Sequence, residues 1–392
     1  MIRIQRMRLR SIGIAVVACT LIIAIGLVGC QKKAEQSVPA ANEIRIGAYL
    51  PMTGVVAAFG QMAWEGIQVA HKMEPKVLGK KIELKLVDTK SDKVEAANAV
   101  TRLIDKEKVV AIIGEMISGN TMAGSDLAEK SGIPMVSPTA TNPIVTQGKK
   151  YIFRVCFVDT DQAKIAAKLA KDKLNAKSAA LIYDVAQEYC VALAKFFKDQ
   201  FVKNGGKILA ETKFKTGDTD FTPQLSRIQN VNPDIIYAPI YYKELALIAK
   251  QANEMGLKKP ILGADGAQVP ELIQIGGKDV EGIYFIGHFH KKMINTERGK
   301  QFAKKFKEVA KTELDAFSAM GADAYFILVD AIKRAGAANP VKIRKALATT
   351  KDFGGISGKI TLQENGNAIK SMVINVVKDG KFQYVTTISP TK

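Results

Sequence analysis

From residue 44 onward, short apolar segments alternate with segments in which apolar residues recur every three or four positions. The short segments are rich in Ile and Val and almost free of polar residues, as parallel strands covered on both faces require. The longer segments carry one apolar stripe each, such as Val94, Ala97, Thr101 and Ile104, which predicts helices packed on a sheet. This alternation predicts an α/β fold with doubly wound, Rossmann-like parallel sheets.

The predicted strands span residues 44–50, 82–87, 109–113, 133–136, 179–183, 235–238, 261–262, 360–362, 372–377 and 382–386. The last two strands are joined by Asp379-Gly380, a dipeptide typical of a tight hairpin turn.

The first 29 residues have the pattern of an export signal. Four arginines precede an uncharged apolar stretch, residues 12–26, which is too short for a comfortable membrane span. It leads into Leu-Val-Gly-Cys at 27–30, which matches a lipobox in which Cys30 receives a diacylglycerol. We therefore expect a signal peptide at 1–29, a lipidated polar tether at 30–43, and a folded part anchored at the periplasmic or extracellular face of a membrane. The alternative is an N-terminal anchor helix that is not cleaved.

The length of the remaining chain predicts two domains, because 363 residues exceed what one compact core usually supports. An extended segment at 151–158, followed by acidic helix starters, indicates a first crossing between domains, and 284–289 indicates a second. These positions predict two lobes joined by a multi-strand hinge. The N-terminal lobe would comprise 44–155 and 288–356, and the C-terminal lobe 156–287 and 357–392.

The chain is strongly basic, with 53 basic and 38 acidic residues once the signal is removed. A nucleic-acid-binding protein would gather this charge into tracts or place aromatic residues between the basic ones. Here the lysines are scattered singly along predicted helices, as in Lys164, Lys168 and Lys171. We therefore expect no nucleic-acid partner, and interpret the charge as solvated helix faces attracted to an anionic membrane or cell wall.

Enzymatic motifs are not evident. The chain has no G-x-S-x-G elbow, no Walker-type phosphate loop and no Cys-His pairing in a persuasive context, so we expect neither catalysis nor a cofactor. His288 and His290 alternate on a predicted strand, but no carboxylate or cysteine cluster accompanies them, which favours a hinge or surface role over metal binding. The spacing of Cys156 and Cys190 leaves a disulfide between them open.

Three turns in the first half of the chain follow predicted strands, where α/β sheets bind ligands. Phe59 lies at a loop tip, where it would either wall a pocket or pack on the adjacent helix. Ser118 is the expected N-cap of a helix, whose free N–H groups could also bind a carboxylate. The segment 137–143, SPTATNP, is held extended by two prolines while its hydroxyls and peptide groups can both donate and accept. Such a segment suits the opposite charges of an α-amino acid.

Further polar and aromatic residues follow strands in the second half. Tyr189 lies in the turn after one strand, and Tyr241 and Tyr242 follow the next. Asp265 is flanked by small residues that would allow close approach of a ligand, although an ordinary turn aspartate would look the same.

Together these segments resemble the periplasmic leucine/isoleucine/valine-binding protein family, the type I solute-binding proteins of branched-chain amino-acid ABC importers. The resemblance spans nearly the whole chain after the tether and is carried by IRIGAYLPMTGVVAAFG, IELKLVDTKSD, VVAIIGEMISGNT, GIPMVSPTATNP, GDTDFTPQLSRI, YYKELALIAKQANEMG, PILGADG and GKITLQENG.

The resemblance implies a role for each candidate residue. Ser118 and Thr141 would hold the ligand carboxylate, and the backbone around Thr139 and Ala140 would accept from the ammonium. Asp265 would lie opposite the ammonium, where some members have the longer glutamate. The side chain would be enclosed by Phe59, Tyr189 and Tyr241 or Tyr242. Tyr189-Cys190 departs from the Tyr-Gly or Tyr-Ser of the family.

The expected protein is thus a monomeric, lipid-anchored receptor that captures a small aliphatic amino acid by hinge closure and presents it to the permease of an ABC importer. The alternative is a sensor that binds an amide or another small solute and signals through a membrane partner, because the same fold serves both purposes.

Overall fold

The computed structural model describes residues 42–390. The predicted signal peptide, Cys30 and residues 31–41 of the predicted tether lie outside this part of the chain. Within it, no helix combines the length and the apolar character that a membrane crossing needs.

The first half of the chain forms a six-stranded sheet in the order β2-β3-β1-β4-β5-β6. All neighbouring strands are parallel except the short β2, which runs antiparallel to β3. The elements are β1 (Glu43–Leu50), α1 (Ala57–Met73), β2 (Lys76–Val77), β3 (Lys80–Asp88), α2 (Lys93–Asp105), β4 (Ala111–Gly114), α3 (Ser118–Lys130), β5 (Met135–Ser137) and β6 (Ile152–Arg154).

The chain then enters a seven-stranded sheet, in which five parallel strands are completed by two antiparallel strands from the end of the chain. Its elements begin with α4 (Asp159–Asp172), β7 (Ser178–Asp184), α5 (Glu188–Lys203), β8 (Lys207–Phe214), α6 (Thr222–Val231), β9 (Ile235–Tyr237), α7 (Tyr242–Glu254), β10 (Ile261–Gly263), α8 (Pro270–Gly276) and β11 (Tyr284–Gly287).

The last part of the chain serves both sheets. It comprises α9 (Glu297–Val309), α10 (Ala316–Ala335), α11 (Pro340–Ala348), β12 (Phe353–Gly355), β13 (Gly358–Leu362), β14 (Ala368–Ile369), β15 (Met372–Lys378) and β16 (Lys381–Ile388). Helix α10 packs along α1 on the first sheet, whereas β15 and β16 complete the second sheet. The structure is therefore the predicted α/β fold with two lobes, and we call the lobe around each sheet the first and the second lobe.

Burial on both faces explains why the strands are so uniformly apolar. In β1, Ile44, Ile46 and Ala48 belong to the main hydrophobic core, whereas Tyr49 faces a second cluster under α2 and α3. The hairpin between β15 and β16 forms at the predicted Asp379-Gly380 turn, where both residues have positive φ.

Three local predictions are wrong. Helix α1 begins at Ala57, so Phe59 lies in its first turn rather than at a loop tip. Ser118 is the first helical residue of α3 and does not cap it; its Oγ instead accepts from the backbone N–H of Asn142 at 3.2 Å. Strand β11 ends at Gly287, so His288 and His290 do not alternate on a strand.

Close packing of α1 on α10 depends on glycine. A Cβ on Gly66 would lie 2.0 Å from the carbonyl oxygen of Ser318, and one on Gly321 would lie 2.5 Å from that of Ala63. Backbone atoms at such distances cannot be displaced without moving a helix.

We expect Gly66→Ala to lower the free energy of unfolding by about 1–3 kcal/mol, because overpacking outweighs the gain of about 1 kcal/mol in helix propensity. Urea denaturation measures the effect, and Gln68→Ala on the exposed face of α1 is the control, with a change within about 0.5 kcal/mol. A Gly66→Ala protein as stable as the parent would contradict this packing.

Candidate functional site

Turns from both sheets meet at one small cavity between the lobes. Each turn follows the carboxyl end of a parallel strand, the position at which sheets of this kind bind ligands. Seven of the nine predicted ligand-binding residues line the cavity: Phe59, Ser118, Thr139, Thr141, Tyr189, Tyr241 and Asp265. The cavity measures about 10 Å³, the space of one water molecule. A ligand the size of an amino acid therefore enters only when the lobes or the lining side chains move apart.

The other two predicted residues do not line the cavity. The carbonyl oxygen of Ala140 accepts from Arg154 Nη1 at 2.6 Å. The ring of Tyr242 packs edge-on against Phe59, and its hydroxyl donates to the carbonyl oxygen of Val55 at 3.4 Å. Tyr242 thus joins the second lobe to the first beside the cavity.

Side chains hold the two first-lobe turns together. Ser137 Oγ donates to the carbonyl oxygen of Glu115 at 2.7 Å and accepts from the N–H of Ala140 at 3.1 Å. Thr139 Oγ1 donates to the carbonyl oxygen of Met116 at 2.7 Å. Arg154, fully buried, reaches the carbonyl oxygen of Asn142 as well as that of Ala140. These bonds fix the backbone on which Ser118 and Thr141 are presented.

Glu115 anchors the start of the same region. Its buried carboxyl accepts from the hydroxyl of Thr89, the N–H of Ile117 and the side chain of Asn120, at 2.7, 2.7 and 3.0 Å. Burial raises the pKa of Glu115 to about 7, although these hydrogen bonds oppose the shift. Its contacts are all with first-lobe residues, which indicates a scaffolding role.

Thr141 differs from its neighbours because its hydroxyl is buried without a close hydrogen-bond partner among the described residues, although it lies near enough to the buried Asp159 carboxyl to lower the pKa of that group. The side chain is 1% exposed and lines the cavity beside Ser118 at the start of α3. A buried hydroxyl without a partner is unfavourable unless a ligand supplies one. Together with the positive end of the α3 dipole, it makes the first-lobe wall of the cavity polar.

Asp265 is the centre of the second-lobe wall and is 5% exposed. Its Oδ1 accepts from the Tyr189 hydroxyl at 2.7 Å and from Gln162 Nε2 at 2.8 Å. Its backbone N–H donates back to Gln162 Oε1 at 3.0 Å. The carboxylate is thereby fixed in one orientation within the cavity wall.

His288 completes this cluster, so of the hinge and surface roles that the sequence suggested, the surface role is wrong. It is fully buried, and its Nε2 lies 3.0 Å from Asp265 Oδ2. Because a carboxylate only accepts, the tautomer protonated at Nε2 makes this bond. Burial lowers the pKa of His288, and Asp265 opposes that shift. His290 is separate: its Nδ1 accepts from the N–H of Lys292 at 3.1 Å.

Aromatic rings form the remaining walls. Phe59 stacks on Phe317 with ring centroids 4.3 Å apart, and Tyr189 stacks on Tyr241 at 5.4 Å. Phe59 also meets Tyr241 edge to face at 5.6 Å, so the rings of the two lobes touch. This apolar surround lies next to the polar cluster and suits a ligand with one charged end and one aliphatic end.

Sequence reasoning missed Phe317, Gln162 and the position of His288. Phe317 begins α10, which does not follow a strand of either sheet, so a search of strand ends passes over it. Gln162 lies inside α4 and reaches Asp265 across 103 positions of sequence. The available signal was a histidine directly after an apolar strand, whereas Gln162, in the polar run DTDQ at 159–162, gave none.

Direct contacts close the cleft at its rim. Lys93 Nζ of the first lobe lies 2.5 Å from Glu188 Oε1 of the second, and Asn142 Nδ2 donates to the carbonyl oxygen of Glu188 at 3.1 Å. The Lys93–Glu188 pair is partly exposed and therefore contributes little stability. Separation of the lobes would break these bonds at small cost, as an opening cleft requires.

Metal and thiol chemistry are not supported at this site. Across residues 42–390, no group of three or more His, Cys, Asp or Glu side chains could hold a metal ion. Cys156 and Cys190 are buried free thiols, which settles the disulfide that the sequence left open. Burial raises the pKa of both, to about 12 for Cys156, so neither is a reactive thiolate.

Comparison with known proteins agrees with this fold. Residues 43–381 match the sequence profile of the periplasmic binding protein family. The leucine binding protein LivK of Thermotoga maritima is 47% identical with a TM-score of 0.87, covering 88% of this chain and 99% of that structure. The branched-chain amino acid substrate binding protein LivJ of Streptococcus pneumoniae, solved with isoleucine, is 34% identical with a TM-score of 0.83, covering 89% and 100%.

A curated relative shows similar coverage. The leucine-, isoleucine-, valine-, threonine- and alanine-binding protein of Pseudomonas aeruginosa is 27% identical over 332 residues, 84% of this chain and 88% of its own length. The chain belongs to the leucine/isoleucine/valine-binding protein family of periplasmic binding proteins. It is accordingly a solute-binding protein.

Because only Thr139 makes a close hydrogen bond, we expect substitutions of Thr141 and Thr139 to affect the free energy of unfolding differently. We expect Thr141→Val to leave the free energy of unfolding of the ligand-free protein unchanged or higher, because the hydroxyl makes no close hydrogen bond and only approaches the Asp159 carboxyl. Thr139→Val should lower it by about 1–3 kcal/mol, because the buried carbonyl oxygen of Met116 loses its donor. Chemical denaturation of both variants measures the difference. Equal destabilisation would show that Thr141 has a partner in the empty protein.

Proposed function

We propose that the protein captures a small aliphatic amino acid, of the branched-chain class or close to it, by closure of its two lobes. Its finer role would be that of a lipoprotein, anchored outside the membrane through Cys30, that delivers this ligand to the permease of an ABC importer. The observation that carries the proposal is the convergence of Ser118 and Thr141 with Asp265 and Tyr189 on one aromatic-walled cavity.

The two walls suit the two ends of a zwitterion. On the first lobe, Ser118 and the start of α3 offer donors and a positive dipole end to a carboxylate. On the second lobe, Asp265 offers a carboxylate to an ammonium, and no lysine or arginine of residues 42–390 forms an ion pair with it. Hydrogen bonds to charged groups contribute about 1.5–3 kcal/mol each, so a few of them supply the roughly 8 kcal/mol of micromolar binding.

The named relatives support the choice of ligand class. LivJ of Streptococcus pneumoniae was solved with isoleucine, and the protein of Pseudomonas aeruginosa is named for five amino acids from leucine to alanine. A buried acid favours a cationic group over the neutral amide of the sensor alternative.

We propose that the lobes comprise 44–155 with 288–356 and 156–287 with 357–392. Sheet membership supports the bounds at 155/156 and 287/288, because the first sheet ends with β6 at Arg154 and β11, in the second sheet, ends at Gly287. The small sheet β12-β13-β14 spans the proposed bound at 356/357. Hinge closure would then bring the Asp265 cluster onto a ligand held by the first lobe.

Isothermal titration calorimetry of residues 31–392 against the twenty amino acids and a few aliphatic amides tests this function. We expect micromolar or tighter binding of at least one aliphatic amino acid, and about 10- to 150-fold weaker binding by Asp265→Asn, because the ammonium loses a charged acceptor. The control is Asp279→Asn, whose carboxylate accepts from Asn253; neither residue lines the cavity. Binding of amides but no amino acid would support the sensor alternative instead.

A further inference from the structure

The surface of α9 carries a row of exposed lysines that the ligand site does not use. Three of them lie within the helix, and the fourth follows its C-cap residue, Ala310. Residues three and four positions apart share one side of a helix, so these lysines lie along one edge of α9. We call the following set the lysine row: Lys300, Lys304, Lys307 and Lys311.

The lysine row differs from the lysines of other helices in its lack of acidic partners. On α4, Lys164 pairs with Asp161 at 2.9 Å and Lys168 pairs with Asp172 at 2.5 Å. Across residues 42–390, no side chain of the lysine row forms an ion pair. Like charges at these spacings repel each other and destabilise a helix. The lysine row is therefore not explained by the stability of α9.

The acids around α9 are engaged elsewhere. Glu308 pairs with Lys305, and Glu313 pairs with Lys291 while also lying within electrostatic reach of the lysine row. Glu65 of α1 accepts from two donors at the end of α9, a backbone N–H at 2.9 Å and a threonine hydroxyl at 2.5 Å. These acids reduce the positive charge of the surface but do not cancel it.

The sequence around α9 shows the same excess. Residues 291–313 contain eight lysines and arginines but only three glutamates. The apolar side of the helix is buried, with Phe302 and Phe306 in the core. The polar side that remains exposed is thus strongly basic.

An open groove of about 620 Å³ runs beside the lysine row. Lys307 and Lys311 line it together with Lys291 from the opposite wall, and the buried side chains of Phe306 and Leu314 form part of its apolar surface. The groove therefore combines positive charges with apolar surface. This combination suits the headgroup region of an anionic lipid bilayer, where phosphate groups lie next to acyl chains.

A nucleic acid fits this surface less well. Proteins that bind single strands stack bases on exposed aromatic rings, but Phe302 and Phe306, the aromatic residues of α9, are buried. Clusters of four to eight basic residues on an amphipathic helix are instead typical of contact with anionic lipids.

We propose that the lysine row is a docking surface for an anionic lipid bilayer, whose headgroup phosphates its ammonium groups contact. The choice of a bilayer over another polyanion rests on the proposed lipid anchor at Cys30, which would keep the protein close to a membrane. None of the four lysines lines the cavity between the lobes, so a docked protein still presents its ligand site.

The strength of this contact follows from the number of lysines. Each basic residue near an anionic leaflet strengthens binding by about fivefold at physiological ionic strength. Salt weakens the contact, because the screening length falls from about 8 Å at physiological ionic strength to about 3 Å at 1 M. The lysine row alone thus provides a reversible contact, which orients a protein that the anchor already holds.

Cosedimentation of residues 31–392 with lipid vesicles tests the proposal without the anchor. We expect the protein to bind vesicles of phosphatidylcholine with about one third phosphatidylglycerol, but not vesicles of phosphatidylcholine alone. NaCl at about 1 M should release it. Replacement of the whole lysine row should weaken binding by at least about 20-fold. The variant is Lys300→Gln/Lys304→Gln/Lys307→Gln/Lys311→Gln.

Two matched variants separate the position of the charges from their number. Replacement of the lysine row by four arginines keeps the charge and should bind like the parent. Four glutamines on α4 and α5 remove the same charge from lysines that are paired with acids, and should bind within about threefold of the parent. This control is Lys164→Gln/Lys168→Gln/Lys195→Gln/Lys198→Gln.

Urea denaturation shows whether each variant is folded. Should the fourfold variant of the lysine row unfold, Lys304→Gln/Lys307→Gln replaces it, with at least about fivefold weaker binding to the anionic vesicles.

The proposal is overturned if the parent does not prefer the anionic vesicles, or if the control loses as much binding as the variant of the lysine row. Binding of soluble polyglutamate without binding of vesicles would also overturn it, and would assign the lysine row to an acidic protein. Each of these results leaves amino-acid capture untouched. Conversely, a protein that binds anionic vesicles but no amino acid in calorimetry contradicts the proposed function alone.

Discussion

The arrangement of the cleft depends on holding one carboxylate, that of Asp265, in a fixed orientation within a nearly dry site. A buried charge is tolerated only where neighbouring groups satisfy it. Here Gln162 from α4, Tyr189 from α5 and His288 after β11 converge on it. One group thus fixes the relative position of the elements that form the second-lobe wall, and in the proposed function it faces the ammonium of the ligand.

Within the described part of the chain, the first-lobe wall presents hydrogen-bond donors to the cavity and no charged side chain. Glu115, Ser137 and Arg154 use their hydrogen-bonding capacity to shape the turns after β4 and β5, so that Ser118 and Thr141 face the cavity. Neutral donors and a helix dipole attract a carboxylate more weakly than an arginine would. The first-lobe wall can therefore meet a carboxylate without neutralising the acids on the second lobe.

The alternation of apolar runs and helical stripes was sufficient to predict the fold, because parallel strands buried on both faces leave a distinctive pattern, as in Ile44, Ile46 and Ala48 of β1. The turns after strands were also predictable as the lining of the cavity between the lobes, since the carboxyl ends of parallel strands share one edge. The structural role of each individual residue was harder to predict. Serine is a favoured N-cap residue, but the hydroxyl of Ser118 instead accepts a hydrogen bond from the N–H of Asn142, which lies in a different turn.

Contacts between segments that are far apart in sequence could not be predicted from the local sequence pattern. Asp159 looks like a helix starter, and nothing local indicates that Gln162 joins it to an acid 103 positions away from that glutamine. Phe317 stacks on Phe59 because α10 returns to α1 late in the chain. His288 was visible as a histidine beside an apolar strand, but only the fold brings it to Asp265.

A crystal structure of residues 31–392 with L-leucine tests the central claim most directly, because it locates both charged ends of the ligand. The account predicts leucine between the lobes, with its nitrogen about 3 Å from Asp265 Oδ2 and its carboxylate at Ser118 and the start of α3. Leucine bound in the reverse orientation, or outside this cleft, would contradict it.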